Sequence, residues 1–223
     1  MKNKFGFILV RPQLGENIGA SARSIKNFGF KKLSIVAPKF NFPNHKAKIT
    51  SVGAFDVINK TQVFSSIDKA VEEFNIVISL SARKRDINKK NINFEDLYKI
   101  LNTRKNLKFG FMFGPEASGL SNYDLSFSNY ILQIPTSKKF KSLNLSHSVT
   151  IICFEIFKLI NRVSFKKKAK SLKVSSKKKV ISFINHLTNL LEKKRFFVPM
   201  EKKKSMLLNI NNLIYRLEPN DKE

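Results

Sequence analysis

The sequence is short of several things. Its 223 residues hold one cysteine, Cys153, and no tryptophan. A lone thiol excludes a disulfide framework and a multi-cysteine zinc site, and it fits a reducing compartment, the cytoplasm. The three histidines, His45, His147 and His186, show no ligand spacing, so no metal is expected. No apolar run approaches the length of a membrane span and no signal-peptide pattern opens the chain, so no membrane partner is expected. Acidic residues are scarce, 16 Asp+Glu against 42 Lys+Arg, for a formal net charge of +26. Richness in Lys, Asn, Ile and Phe is also what a biased composition produces, but this excess goes beyond the needs of solubility and points to a polyanionic partner.

What is present is enough for a core: 42% of the residues are apolar, which excludes wholesale disorder. Five short apolar runs read as strands, at 5–10, 33–36, 76–80, 109–113 and 130–134. They are nearly continuous rather than alternating, which means burial on both faces, as in a parallel sheet covered by helices. Helical stretches at 19–28 and 66–74 lie between them, giving an α/β domain. A long helix over 144–161 follows, with Leu145, Val149, Ile152, Ile156 and Leu159 on one face. Cys153 on this helix reads as a buried, inert thiol.

The remainder is organised by charge. Residues 162–180 carry nine basic side chains and no acidic one, and read as a basic linker. Two amphipathic helices follow, over 178–194 with Ile184, Leu187 and Leu191 on one face, and over 202–217 with Met206, Ile210, Leu213, Ile214 and Leu217 on one face. The division is therefore 1–161 as the main domain, 162–180 as linker and 181–223 as a small helical extension, with +12 of the charge in residues 162–223.

Three segments are too polar or too glycine-rich for packing alone. The first, Arg11-Pro12-Gln13-Leu14-Gly15-Glu16-Asn17-Ile18-Gly19, follows the first strand. Such a turn can hold an anion or nucleotide, although it matches neither the dinucleotide fingerprint nor a P-loop. Asn17 would serve there as a helix N-cap, with Arg23 about one and a half turns further on. The second, Phe113-Gly114-Pro115-Glu116-Ala117-Ser118-Gly119-Leu120, leaves a buried strand at the edge where ligands gather in open α/β sheets. The third, Ser142-Leu143-Asn144-Leu145-Ser146-His147-Ser148, opens the long helix, where Ser142 or Asn144 could cap it.

Asn17-Ile18-Gly19 with Arg23, Phe-Gly-Pro-Glu with Gly119-Leu120, and Ser-Leu-Asn-Leu together resemble the three motifs of the SpoU branch of the SPOUT methyltransferases, in order and spacing across roughly the first 160 residues. Residues 11–17, and a tail reading Phe197-Val198-Pro199 with Met206, Asn209-Ile210 and Arg216, are similar to the TrmJ-type tRNA methyltransferases, which modify nucleotide 32 of the anticodon loop. The resemblance implies a parallel sheet whose C-terminal part is tied in a trefoil knot, a homodimer, tRNA as partner, and 2′-O-ribose methylation from S-adenosyl-L-methionine. It places the cofactor on Leu80, Ser81, Ala82, Gly114, Ile134, Ser142, Leu143 and Asn144. Arg23 matches the family's catalytic arginine, with Asn17, Glu116, Ser142 and Asn144 supporting it or touching RNA. Since a sulfonium is a good leaving group, alignment and an activated hydroxyl are what the protein must supply. A guanidinium is a poor base, so Arg23 is expected to hold the RNA phosphate and orient the 2′-hydroxyl.

Some positions depart from the family. Ala117 stands where relatives often carry arginine, His147 replaces a usually small residue, and the chain stops soon after Pro219 where many relatives continue into a last helix. The tail is accordingly expected to dock differently or to bind tRNA less tightly. Rival readings are a 2′-O-methyltransferase of rRNA or of another tRNA position, an inactive RNA-binding protein of the same fold, and, weakest, a binder of anionic membranes.

Overall fold

The computed structural model describes residues 2–82, 87–162 and 174–221. Its centre is a sheet of parallel strands, β1 (Phe5–Val10), β2 (Lys32–Val36), β3 (Gln62–Phe64), β4 (Ile76–Leu80), β5 (Lys90–Ile92), β6 (Phe109–Phe113) and β7 (Tyr130–Leu132), in the order β3-β2-β1-β6-β4-β7-β5. Every residue of β1 and of β6 is buried, as continuous apolar runs require. The strand reading of 130–134 is shorter in the structure: β7 ends at Leu132 and Ile134 lies beyond it.

Helices cover both faces. On one lie α1 (Gly15–Asn27), α2 (His45–Thr50), α3 (Phe55–Asn59), α5 (Phe94–Thr103) and α7 (Leu145–Arg162), meeting Phe7, Leu9, Ile78 and Phe111 of the sheet. On the other lie α4 (Ile67–Val71), α6 (Asn122–Ser126), α8 (Lys177–Lys193) and α9 (Lys203–Leu217), meeting Ile8, Val10, Val77 and Met112. Alternate residues of β1 thus feed opposite cores, and each fully buried large apolar side chain contributes roughly 1.5–3 kcal/mol. Leu145, Val149, Ile152 and Ile156 are buried along α7, and Cys153 beside them is fully buried, with its thiol pushed up in pKa by that burial.

The first helix begins earlier than its sequence suggests. Asn17 lies inside the first turn of α1, and the residue at the N-cap, Leu14, makes no side-chain cap. Gly19 is also helical; a Cβ there would strike Thr50 and the Ala47 carbonyl of α2, so this glycine serves close helix packing rather than an anion turn.

The C-terminal helices lie on the sheet. Ser176 caps α8 by accepting from Lys179 N, so the helix starts within the stretch read as linker; residues 163–173 of that stretch lie outside the described residues. The face of α9 is the expected one at Ile210 and Ile214, which pack against the core on this side of the sheet, but not throughout. Tyr215 and Asn212 are buried, whereas Leu213 and Leu217 are exposed. Tyr215 takes the inner position because its ring packs on Phe127 at 6.1 Å and its carbonyl accepts from Asn129 Nδ2 at 3.0 Å. Asn129 Oδ1 in turn accepts from Val77 N of β4 at 2.9 Å, linking tail to sheet.

Candidate active site

Neighbouring strands β6, β4 and β7 end at one edge of the sheet, and a cavity of about 340 Å³ opens there. That edge is where open α/β sheets hold their ligands. Its walls come from three strand ends with the loops that leave them, Leu80 to Ala82 from β4, 113–119 from β6, and Leu132, Ile134, Lys141, Ser142 and Leu143 from β7, together with Leu145 and Ser148 of α7. The loops are joined to each other, since Ser81 N donates to Leu132 O at 3.2 Å and Gln133 Nε2 to Ala82 O at 3.4 Å. A Cβ on Gly114 would run into Leu120 N and the carbonyl carbon of Gly119, so only glycine lets this loop fold back on itself. Gly119, at φ 65°, closes the same loop in the left-handed region.

Of the residues expected at a cofactor site, Leu80, Ser81, Ala82, Gly114, Ile134, Ser142 and Leu143 line this cavity, and Asn144 does not. Asn144 is tied to helix ends instead. Its Oδ1 accepts from Ser146 N at 2.8 Å and Ser146 Oγ at 2.7 Å, capping α7, while its Nδ2 donates to Asn17 Oδ1 at 3.0 Å. Asn17 Nδ2 donates onward to Glu116 Oε1 at 2.7 Å. Glu116 also accepts from Gln13 N at 2.8 Å and Leu14 N at 3.3 Å. The three polar segments singled out in the sequence are thus one hydrogen-bonded unit at the cavity rim. Glu116 caps no following element; it fixes the turn into α1.

The sequence reading missed Gln13 as a member of this unit. Its Oε1 accepts from Ala117 N at 3.0 Å, so Gln13 and the 113–119 loop clasp each other from both sides. It also missed Arg11, whose guanidinium pairs with the buried Asp124 while its backbone adopts φ 47°. Asp124 in turn forms the capping box of α6 with Ser121. The signal was available: Arg11 and Gln13 are polar residues immediately after a strand buried along its length.

Arg23 stands apart from the cavity. It is an exposed residue of α1, on a helix held to α7 by the hydrogen bond between Ser24 Oγ and Thr150 Oγ1 at 2.6 Å. Phe28, at the C-terminal end of α1, packs with Phe154 and Phe157 of α7, and Phe154 is exposed. Among the described residues no group of three or more His, Cys, Asp and Glu could hold a metal ion, and no helix is long and apolar enough to cross a membrane.

Comparison with known proteins agrees with this geometry. The model of the SpoU rRNA methylase family matches residues 4–154. A tRNA (cytidine-2′-O-)-methyltransferase TrmJ of Methanocaldococcus jannaschii is 36% identical over 154 residues, 67% of this chain and 66% of that protein. The tRNA (cytidine/uridine-2′-O-)-methyltransferase TrmJ of Photorhabdus laumondii is 32% identical over 157 residues, 70% of this chain and 65% of that protein. In both, just under two thirds of the relative's length is matched. The crystal structure of TrmJ from Z. mobilis ZM4 superposes with a TM-score of 0.88 at 30% identity, over 97% of this chain and 92% of that one. Strand order, the three-loop cavity and a family match over more than half the sequence lead to one assignment: the chain belongs to the SpoU methylase family.

Proposed function

We propose that the chain is a tRNA methyltransferase that moves a methyl group from S-adenosyl-L-methionine to a ribose 2′-hydroxyl, at cytidine or uridine 32 of the anticodon loop. The observation that carries this reading is the cavity at the ends of β4, β6 and β7, bonded through Glu116, Asn17 and Asn144 to the starts of α1 and α7. Its volume of about 340 Å³ suits a small cofactor. Leu80, Leu132, Ile134 and Leu143 offer apolar walls, and the main chain of the three loops offers donors and acceptors for a purine edge. When bound, S-adenosyl-L-methionine supplies an electrophilic methyl group on a sulfonium.

The protein's part is alignment. Glu116, held by three N–H groups, keeps the 113–119 loop and the 11–17 turn in register. Asn144 and Asn17 carry that register to α7. Ser142 at the rim shapes the third loop and faces incoming RNA. Arg23 holds the phosphate beside the target ribose and orients its 2′-hydroxyl, with a phosphate oxygen as proton acceptor, a planar guanidinium being well matched to phosphate. Because Arg23 does not line the cavity of its own chain, we assign it to the cavity of a second copy. We place the contact of a homodimer on the α1–α7 surface, a reading supported by the exposed Phe154 beside Phe28 and Phe157. Residues 1–161 form the methyltransferase unit, and the basic side chains of 162–180, the buried Lys177 excepted, together with the extension 181–223 hold tRNA phosphates, giving affinity with little sequence discrimination. The location is cytoplasmic, with the tRNA.

The test is nucleoside mass spectrometry on anticodon-loop fragments after incubation of tRNA with the protein and S-adenosyl-L-methionine. A 2′-O-methyl group on nucleotide 32 is expected. The family model's description favours rRNA as the second reading; unmethylated tRNA alongside methylated rRNA would establish it in place of the first.

A further inference from the structure

The chain turns sharply where α8 ends. Lys194 N, Arg195 N and Phe196 N donate to Leu190 O, Glu192 O and Leu191 O at 3.2, 2.9 and 3.0 Å. Arg195 adopts φ 53°, the left-handed conformation that glycine usually supplies at a helix end. The turn leaves Phe196 50% exposed while Phe197, next to it, is buried. The two rings meet edge to face, with centroids 5.5 Å apart and planes at 82°, so Phe197 braces Phe196 from one side.

The sequence on either side of this ring is basic. Residues 193–204 include six basic side chains and one acidic. Lys203 is engaged, pairing with Glu192 and lying 5.8 Å over the Phe197 ring. Lys193, Lys194, Arg195, Lys202 and Lys204 are exposed and form no ion pair among the described residues. Packing does not account for an aromatic ring left outward beside a strained residue, in a connection flanked by exposed cations without ion pairs among the described residues.

We propose that Phe196 is a stacking platform for an unstacked base of the RNA substrate, with Arg195 and the exposed lysines of 193–204 on its flanking phosphates. Aromatic faces set among cations hold single-stranded nucleic acid in this way, and RNA presents such bases in its loops. An anionic bilayer fits less well, because an in-plane helix needs an apolar face along its length, whereas Phe196, Val198 and Met200 are exposed within a single short connection. The inference rests on the RNA-substrate part of the function proposed above, not on the reaction or the position modified.

The chain has no tryptophan, so Phe196→Trp in the full chain creates a single reporter at this ring. Unfractionated tRNA and a short oligouridylate are expected to quench its emission saturably, and heparin, a polyanion without bases, to leave it unquenched. Phe196→Leu, which keeps apolar bulk but removes the ring, is expected to weaken tRNA binding by roughly 5- to 100-fold and heparin binding hardly at all. Equal quenching by heparin, unchanged tRNA affinity in Phe196→Leu, or no binding of either RNA would overturn the platform. So would a Phe196→Leu defect confined to phosphatidylserine vesicles or to the oligomeric state. Methyl transfer is measured separately: base-dependent quenching without methylation would remove the proposed reaction and leave the platform standing.

Discussion

Asn17 and Glu116, 99 positions apart in sequence, are joined by a 2.7 Å hydrogen bond from the amide Nδ2 to the carboxylate Oε1. The same carboxylate takes the N–H groups of Gln13 and Leu14, so its acceptor oxygens are matched to three donors. Glu116→Gln sets an NH2 group against at least one of them. The cost expected is about 1–3 kcal/mol, read as a lower thermal midpoint, and the misaligned loop should also weaken cofactor binding measured calorimetrically. A variant with wild-type stability and cofactor affinity would show that the carboxylate does not organise the rim.

Arg23 makes the opposite prediction. It lies outside the cavity on an exposed helix face, so Arg23→Ala should leave cofactor affinity and thermal midpoint unchanged while methyl transfer falls by about 100-fold or more, as when one positioned transition-state donor is lost. Arg23→Lys should recover little, since an ammonium lacks the guanidinium's two-pronged fit to phosphate. Parallel loss of cofactor binding and activity would make Arg23 a structural residue.

The aromatic group across α1 and α7 predicts an assembly. Phe154→Glu puts a charge on the exposed ring position, and a contact buried there cannot hold an unpaired carboxylate cheaply. Sedimentation should find the wild type as a dimer and the variant as a monomer, with activity lost. Mixing it with Arg23→Ala tests the shared site directly: if a heterodimer forms, one intact cavity facing an intact Arg23 should restore part of the activity.

Under α9, two lysines are buried against one tyrosine. Lys89 Nζ donates to Ser126 O and Ser128 O at 2.9 and 2.7 Å, and burial, then the charge of Arg216, pushes its pKa down to about 7 from 10.5. Lys177 lies 4.0 Å from the Tyr215 ring centroid; burial and then Lys89 lower its pKa, with Glu218 opposing. Between pH 7 and about 10 the unfolded chain therefore holds more protons than the folded one, so stability rises with pH, by up to about 1.4 kcal/mol per unit for each lysine. Below pH 7 the penalty of Lys89 is fully present. Above about pH 10 Tyr130 and Tyr215, kept protonated by burial, reverse the slope. Thermal midpoints measured across pH 7 to 9.5 should climb, and Lys177→Met should raise the value at pH 7 and flatten the climb.

The parts of this molecule that were legible in its sequence are those where burial dominates. Strands β1, β2, β4, β6 and β7 announce themselves because both faces are covered. The strands β3 and β5 do not: they are three-residue edges in which Gln62, Val63, Lys90 and Asn91 are exposed, leaving Phe64 and Ile92 as the only residues turned to the core. On α9 the expected Ile210 and Ile214 do pack inward, but counting apolar residues also favours Leu213 and Leu217, whereas the tertiary partners Phe127 and Asn129 select Tyr215. At the site, resemblance supplied the cavity residues, but not the reason for Glu116, which becomes visible only when Gln13 and Asn17 are brought to it from a hundred residues away.

Strand order has a consequence for synthesis. The last strand of the sheet, β7, lies between β4 and β5, both of which precede it in the chain. A nascent chain that has emerged only as far as β6 has one of the three loops of the cavity missing and its neighbour β5 without a partner. The cavity therefore comes into being late, when residues 130–148 seat themselves. A chain without those residues cannot close the cavity, so occupancy of the cavity reports that the sheet has received its last strand.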